Sequence, residues 1–214
     1  MVSEDDNTSF LEDIAEMISE VSPKKKLYVV AGGGRIARFY IRSGRALGAS
    51  EELLDEMGIE VTRLNARLLI AALEGRACPV PPKDYEEAAE AGKKHEVVVM
   101  GGVSPGITTD AVAAFLAERV GAKLLVNATS VDGAYTADPN KDRNAKKIPR
   151  MTHKELVDLV GTSPLGAGPN VVFDPTGAGV LLRTKIPLAI VNGHDLRNMR
   201  AALLGSDFEG TIVR

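Results

Sequence analysis

The sequence predicts an α/β fold, a three-layer α/β/α sandwich with a mostly parallel central sheet, carried by a single domain over residues 1–214. Three observations predict it. Short apolar runs of strand length alternate with longer segments of helical period, the pattern of a sheet covered by helices on both faces. Two of those runs end in glycine clusters, Gly32-Gly33-Gly34 and Gly101-Gly102, as strands do where they turn toward a helix. The core must be aliphatic, because aromatic residues make up only 4% of the chain and tryptophan is absent, which suits the Val, Ile, Leu and Ala packing of a covered parallel sheet.

The elements follow in order. Behind a polar Asn7-Thr8-Ser9 cap, Phe10, Ile14, Met17, Ile18 and Val21 recur at helical spacing. Leu27 to Ala31 is a strand that runs into the glycine triplet, and Ile36 to Leu47 is the helix that leaves it. A long helix is expected over Glu51 to Leu73, with Gly58 as the place where it would kink, and the Pro79 to Pro82 stretch ends that region. Val97 to Met100 is a second buried strand, Thr109 to Val120 a helix and Lys123 to Asn127 a third strand. A helix is expected over Thr152 to Val160, followed by a Gly/Pro/Ser-rich stretch from Gly161 to Asn170, either a mobile loop over a ligand or a plain surface loop. The periodicity does not decide whether Val171 to Phe173 is strand or helix entry. Ile186 to Val191, Leu196 to Leu204 and Thr211 to Val213 close the chain as strand, helix and strand.

Charge and cysteine content exclude several functions. One cysteine, Cys78, permits neither an intramolecular disulfide nor a cysteine-based zinc site, and beside Pro79 it reads as a buried apolar filler, not a nucleophile. His95, His153 and His194 are too scattered for a metal site and are expected on the surface, so no protein-held metal is expected. A net charge of -3 with a single basic cluster, Lys24-Lys25-Lys26, argues against nucleic acid as a partner. No apolar run reaches bilayer length and the amino terminus is acidic, so the expected setting is the cytoplasm, with no membrane partner.

The glycine turns are the candidate anion sites, since strand ends and helix N-termini present free N–H groups there. Neither turn is a P-loop, for no Gly-Lys-Ser or Gly-Lys-Thr follows, and neither holds Gly-x-Gly-x-x-Gly. Arg38 lies one turn into the helix after Gly34, where a cation complements backbone donors. In the second loop Thr108 and Thr109 offer hydroxyls at a helix start, and Asp110 would cap that helix or accept a bond from a base or sugar. Tyr135 is a candidate to pack on a nucleobase or simply on its own loop.

These residues together resemble the amino acid kinase superfamily. The Gly32-Gly33-Gly34 strand end, the Gly101-Gly102 loop with Thr108-Thr109-Asp110, the segment from Val131-Asp132-Gly133-Ala134-Tyr135 to Asp138-Pro139 and the terminal Gly210-Thr211 occur in that family's order. Asp55 to Ile59 and Thr62-Arg63-x-Asn65-Ala66 are similar to segments of its archaeal UMP kinase branch. The resemblance implies transfer of the γ-phosphoryl of ATP to UMP, with Mg²⁺ accompanying ATP, no covalent enzyme intermediate, and a homohexamer assembled from dimers. It implies UMP contacts at Gly33, Asp55 and the loop Val103, Ser104, Pro105, Gly106, Ile107, Thr108 and Thr109. It implies ATP contacts at Gly34, Arg38, Thr129, Tyr135 and Asp138, and a catalytic role for Asp174, which would organise positive groups around the transferring phosphate.

The chain departs from the family in three places. The first family strand, which ends in Gly-Gly-Ser or Lys-x-Gly-Gly, has no counterpart, so Met1 is expected to be an internal methionine, or the chain a truncated form, with upstream codons encoding that strand. Gly177-Ala178-Gly179 stands where related kinases often carry a lysine, and Ser104 and Ile107 replace frequent histidines. On the residues alone, a kinase of another small acceptor and a catalytically degenerate nucleotide-binding paralogue stay open beside the uridylate reading.

Overall fold

The computed structural model describes residues 8–137, 139, 141–161 and 172–214. The chain divides into two compact units, Met1–Val112 and Ala113–Arg214.

The first unit contains helix α1 (Ser9–Val21), strand β1 (Leu27–Val30), helices α2 (Gly34–Ala46), α3 (Glu51–Ala72) and α4 (Tyr85–Ala91), strand β2 (Val97–Met100) and the start of helix α5 (Thr109–Val120). β1 and β2 pair in parallel from Leu27↔Val97 to Val30↔Met100. All four residues of β2 are fully buried, as an uninterrupted Val-Val-Val-Met run requires. The backbone N–H of Cys78 reaches the carbonyl of Val97 at 2.9 Å, and the Cys78 side chain is half-buried rather than the buried filler expected, because it opens the exposed Pro79-Val80 segment, with its Sγ 3.4 Å from the Val80 carbonyl.

Helix α3 is the pillar of this unit. Ser50 caps it by accepting the Leu53 N–H at 3.3 Å, and Glu51 and Glu52 complement the positive end of its dipole. Leu54, Val61, Thr62, Ala66 and Leu69 form its buried stripe. It passes unbroken through Gly58, where an added Cβ would meet only Ile41 Cδ1 at 3.5 Å. Helix α2 begins two residues earlier than its apolar periodicity indicates, because Gly34 adopts the left-handed φ of 61° that opens the helix directly out of the glycine turn. Helix α4 went unread in the sequence, although Asp84 takes the Glu87 N–H at 2.8 Å and Glu87 accepts the Lys83 N–H at 2.9 Å.

The second unit holds the remainder of α5, strands β3 (Leu125–Thr129), β4 (Ala134–Tyr135), β5 (Lys147–Ile148), β6 (Arg150–Met151), β7 (Leu188–Asn192) and β8 (Thr211–Val213), and helices α6 (His153–Gly161), α7 (Pro175–Thr184) and α8 (Leu196–Leu204). Its main sheet runs β3-β7-β8-β6, with β3 and β6 parallel to their partners and β7 antiparallel to β8. Pairing is thus mostly parallel, as the sequence predicts, and the fold is α/β. Both β3 and β7 start two residues downstream of the runs expected from Lys123 and Ile186. Pro187 has no N–H for the ladder, so its carbonyl takes the Leu125 N–H at 2.9 Å and β7 starts at Leu188. The core centres on Phe173, Leu156, Leu181, Leu188 and Ile190, each 1% exposed or less.

His153, expected on the surface, is 4% exposed; its Nε2 lies 2.9 Å from the Ile186 carbonyl, which satisfies the ring in the interior. Residues 162–171, and with them most of the Gly161 to Asn170 stretch and the start of Val171 to Phe173, lie outside the described residues. Among the described residues no helix is long and apolar enough to cross a membrane.

Candidate functional site

In the first unit, the parallel register of β1 and β2 ends both strands at the same level, with Ala31 donating its N–H to the Met100 carbonyl at 2.8 Å. The turns Gly32-Gly33-Gly34 and Gly101-Gly102 therefore leave side by side. Gly101 has to be glycine, because a Cβ there would lie 2.6 Å from Thr62 Oγ1 and 2.7 Å from the Arg63 backbone nitrogen, inside the body of α3.

Side chains of α3 hold the turns. Thr62 Oγ1 accepts the buried Gly102 N–H at 2.6 Å and donates to the Ile59 carbonyl at 2.6 Å. Arg63 Nε donates to the Gly102 carbonyl at 3.3 Å, and Asn65 Nδ2 donates to the Gly32 carbonyl at 2.7 Å. Asp55 Oδ2 accepts the Gly106 N–H at 2.7 Å. The loop from Val103 to Thr109 is fastened at its far end by Thr108, whose hydroxyl accepts the Ala111 N–H at 3.2 Å, so the side-chain cap of α5 is Thr108. A Cβ on Gly32 would stand 3.7 Å from Thr109 Oγ1, which places that hydroxyl beside the first turn.

Gly33, Asp55 and the loop from Val103 to Thr109 are thereby gathered around one end of one unit. Gly34 and Arg38 belong to the same unit. Arg38 is exposed on α2 and, among the described residues, makes no ion pair.

In the second unit, β3 delivers Thr129, whose hydroxyl accepts the Val131 N–H at 2.9 Å and folds the loop back on itself. Tyr135 does not float in that loop: its hydroxyl donates to Asp132 Oδ1 at 2.6 Å, while Lys147 Nζ reaches Asp132 Oδ2 at 2.9 Å. The Tyr135 hydrogen bond first, and that of Lys147 second, hold the Asp132 carboxyl below the ordinary carboxylate range. The same bond, with some burial, pushes the Tyr135 phenol above its ordinary value. Thr211 pins this hairpin by accepting the Ala134 N–H at 2.8 Å and donating to the Ile148 carbonyl at 2.5 Å. Asp138 lies outside the described residues.

Asp174 is the N-cap of α7, with Oδ1 accepting the Gly177 N–H at 2.9 Å and Pro175 in the first helical turn. Asn127 Nδ2 donates to the Val172 carbonyl at 3.0 Å, which fixes the approach to Asp174 from β3. Sequence reasoning assigned no role to Thr62, Asn65, Asn127, Asp132 or Lys147. Thr62, Asn65 and Asp132 do stand in segments that resemble the family, which is the signal the sequence offers for them.

Residues 1–192 match the amino acid kinase family. The chain belongs to that family. It is 48% identical over 204 residues to a uridylate kinase of Methanothrix thermoacetophila, a match covering 95% of this chain and 91% of the relative. Among solved structures it is similar to the uridylate kinase of Archaeoglobus fulgidus, with a TM-score of 0.90, 42% identity and coverage of 98% of this chain and 94% of that one. The UMP kinase of Bacillus anthracis, at 22% identity and a TM-score of 0.79 over 97% of this chain and 87% of that one, shares the fold. The amino acid kinase fold therefore accounts for both the parallel pairing and the glycine turns at the strand ends.

Proposed function

We propose that the chain is a nucleoside monophosphate kinase that transfers the γ-phosphoryl group of ATP to UMP, giving UDP in pyrimidine nucleotide biosynthesis in the cytoplasm. The clasp of Asp55 on Gly106 carries this reading: it fixes the Val103 to Thr109 loop beside the first glycine turn. The archaeal relatives it resembles are uridylate kinases, which agrees with that acceptor. Gly33, Asp55 and the loop receive UMP. ATP is assigned to Gly34, Arg38, Thr129, Tyr135 and Asp138, and Asp174 arranges charge around the moving phosphoryl group. Transfer of this kind needs positioning and charge neutralisation more than an acid or base, so backbone N–H groups and Arg38 suit it.

Mg²⁺ enters with ATP. Asp174, a carboxylate at the start of α7, is a hard oxygen donor of the kind such a cation takes. When bound, the cation would neutralise phosphate charge.

A homohexamer built from dimers is part of the same reading. The α3 face away from the core exposes Leu53, Leu64 and Leu68, at 47%, 63% and 40%. Acidic Glu56 and Glu60 flank that face in the first part of the helix and Arg63 and Arg67 in the second, so a second copy laid antiparallel meets opposite charge beside the leucines. Titration of the full chain with UMP, CMP, AMP and glutamate, each with ATP and Mg²⁺, tests the acceptor. The account expects UMP to bind tightest; equal affinity for UMP and AMP would overturn it.

A further inference from the structure

The family resemblance assigns no nucleotide contact to the segment Thr62-Arg63-x-Asn65, yet it reaches both glycine turns. Thr62 has one hydroxyl proton, and the Ile59 carbonyl takes it at 2.6 Å. Its lone pair is thereby oriented toward the buried Gly102 N–H, also at 2.6 Å. Three residues on, Asn65 holds the Gly32 carbonyl through its amide at 2.7 Å. Residues three apart on a helix lie on neighbouring positions of one face, so one rigid rod grips the two turns at once. The rest of that face is packed: Val61 is 5% exposed, Thr62 6% and Ala66 0%. Gly101, pressed against Thr62 Oγ1 and the Arg63 nitrogen, leaves the second turn no room to settle differently.

We propose that Thr62 and Asn65 are positioning residues for the acceptor nucleotide. Through Gly102 and Gly32 they fix in advance the two strand-end turns whose backbone N–H groups receive its phosphate. The inference rests on the uridylate reading of this end of the first unit. Neither residue touches the nucleotide; each sets a backbone carbonyl or N–H, and so the aim of the donors beyond it. Preorganised donors bind without reordering, and loosening them weakens above all the binding of the phosphate they serve.

The test uses the full chain. Thr62→Val keeps the shape and removes the hydroxyl; Thr62→Ser keeps the hydroxyl. Calorimetry is expected to give a Kd for UMP weakened about tenfold or more in Thr62→Val, the scale of leaving one buried N–H unpaired. The Kd for ATP should stay within about twofold, and Thr62→Ser should return UMP affinity to within about threefold of wild type. Amide hydrogen exchange should quicken over residues 101–107 with protection elsewhere retained, a readout that needs no ligand. Asn65→Leu tests the other turn independently if Thr62→Val fails to fold, with a larger loss for UMP than for ATP, because Gly34 of that turn is assigned to ATP. A Thr62→Val or Asn65→Leu chain that binds UMP as wild type does overturns the inference and leaves the acceptor reading standing, as does equal weakening of UMP and ATP. Wild-type chain that binds no UMP overturns the acceptor reading and the inference together.

Discussion

Asp55 and Gly106 stand 51 positions apart in the chain, yet the Asp55 carboxylate accepts the Gly106 N–H at 2.7 Å. One hydrogen bond thus ties a loop of seven candidate contact residues to the longest helix of the first unit, and it makes Asp55 a clasp as well as a candidate ligand. The two roles separate experimentally. Asp55→Asn retains an oxygen that accepts from Gly106 but loses the charge, whereas Asp55→Ala loses both. If the clasp dominates, UMP binding falls about tenfold or more in Asp55→Ala and stays near wild type in Asp55→Asn, read by calorimetry. Equal loss in both variants assigns the effect to the charge.

Gly101→Ala is expected to destabilise the first unit by about 1–3 kcal/mol, the usual cost of forcing a methyl group into a packed interior. The obstructing atoms belong largely to the α3 backbone, at 2.7 Å from the Arg63 nitrogen and 2.8 Å from the Thr62 carbonyl carbon, so they cannot swing aside as a flexible side chain would. Urea unfolding measures the loss. A midpoint equal to wild type would mean that β2 and α3 are less tightly apposed than described.

Arg38→Ala should raise the Kd for ATP several-fold and leave that for UMP nearly unchanged, because an exposed cation one turn beyond Gly34 complements phosphate charge without holding the acceptor turns. Unchanged ATP affinity makes Arg38 an ordinary solvated helix residue.

The triad of Asp132, Tyr135 and Lys147 predicts a pH dependence. Asp132 has its carboxyl depressed in the folded chain, so its contribution is present above the ordinary carboxylate value of about 4 and is lost as pH falls through the lower folded value. Tyr135 is raised, so its contribution is present below about 10 and is lost only as pH climbs through the higher folded value. With the Asp132 side chain 47% exposed, the ion pair with Lys147 is worth about 0.2–1 kcal/mol and no more. The Tm difference between wild type and Asp132→Asn should therefore be small, constant through neutrality, and shrink in acid. A difference that grows in acid would contradict the assignment.

How much of this was legible in the sequence depended on how local the cause was. β2, α5, α8 and β8 were readable to the residue, because an apolar run or helical period there is bounded by glycine, threonine or aspartate. Helix α7 escaped because Gly177 and Gly179 argue against a helix by propensity, while burial of Gly177, Ala178, Val180 and Leu181 in the structure overrides that preference. β4, β5 and β6 are two residues each and carry no periodic signal. In the candidate site the glycine turns announced themselves. The side chains that hold them did not, since Thr62 and Gly102 are 40 positions apart and Asn65 and Gly32 are 33 apart. His153 misled for the same reason, its partner Ile186 lying 33 positions downstream.

The central claim is that this chain phosphorylates UMP, and the most direct measurement is kcat/KM for phosphoryl transfer from ATP with Mg²⁺ to UMP and to AMP, followed by appearance of the diphosphate product. The account predicts UDP as the product and a kcat/KM for UMP at least about a hundredfold above that for AMP, the discrimination that a site hydrogen-bonding one base and not the other supplies. Equal kcat/KM for the two acceptors, or ATP turnover with no UDP formed, would contradict it.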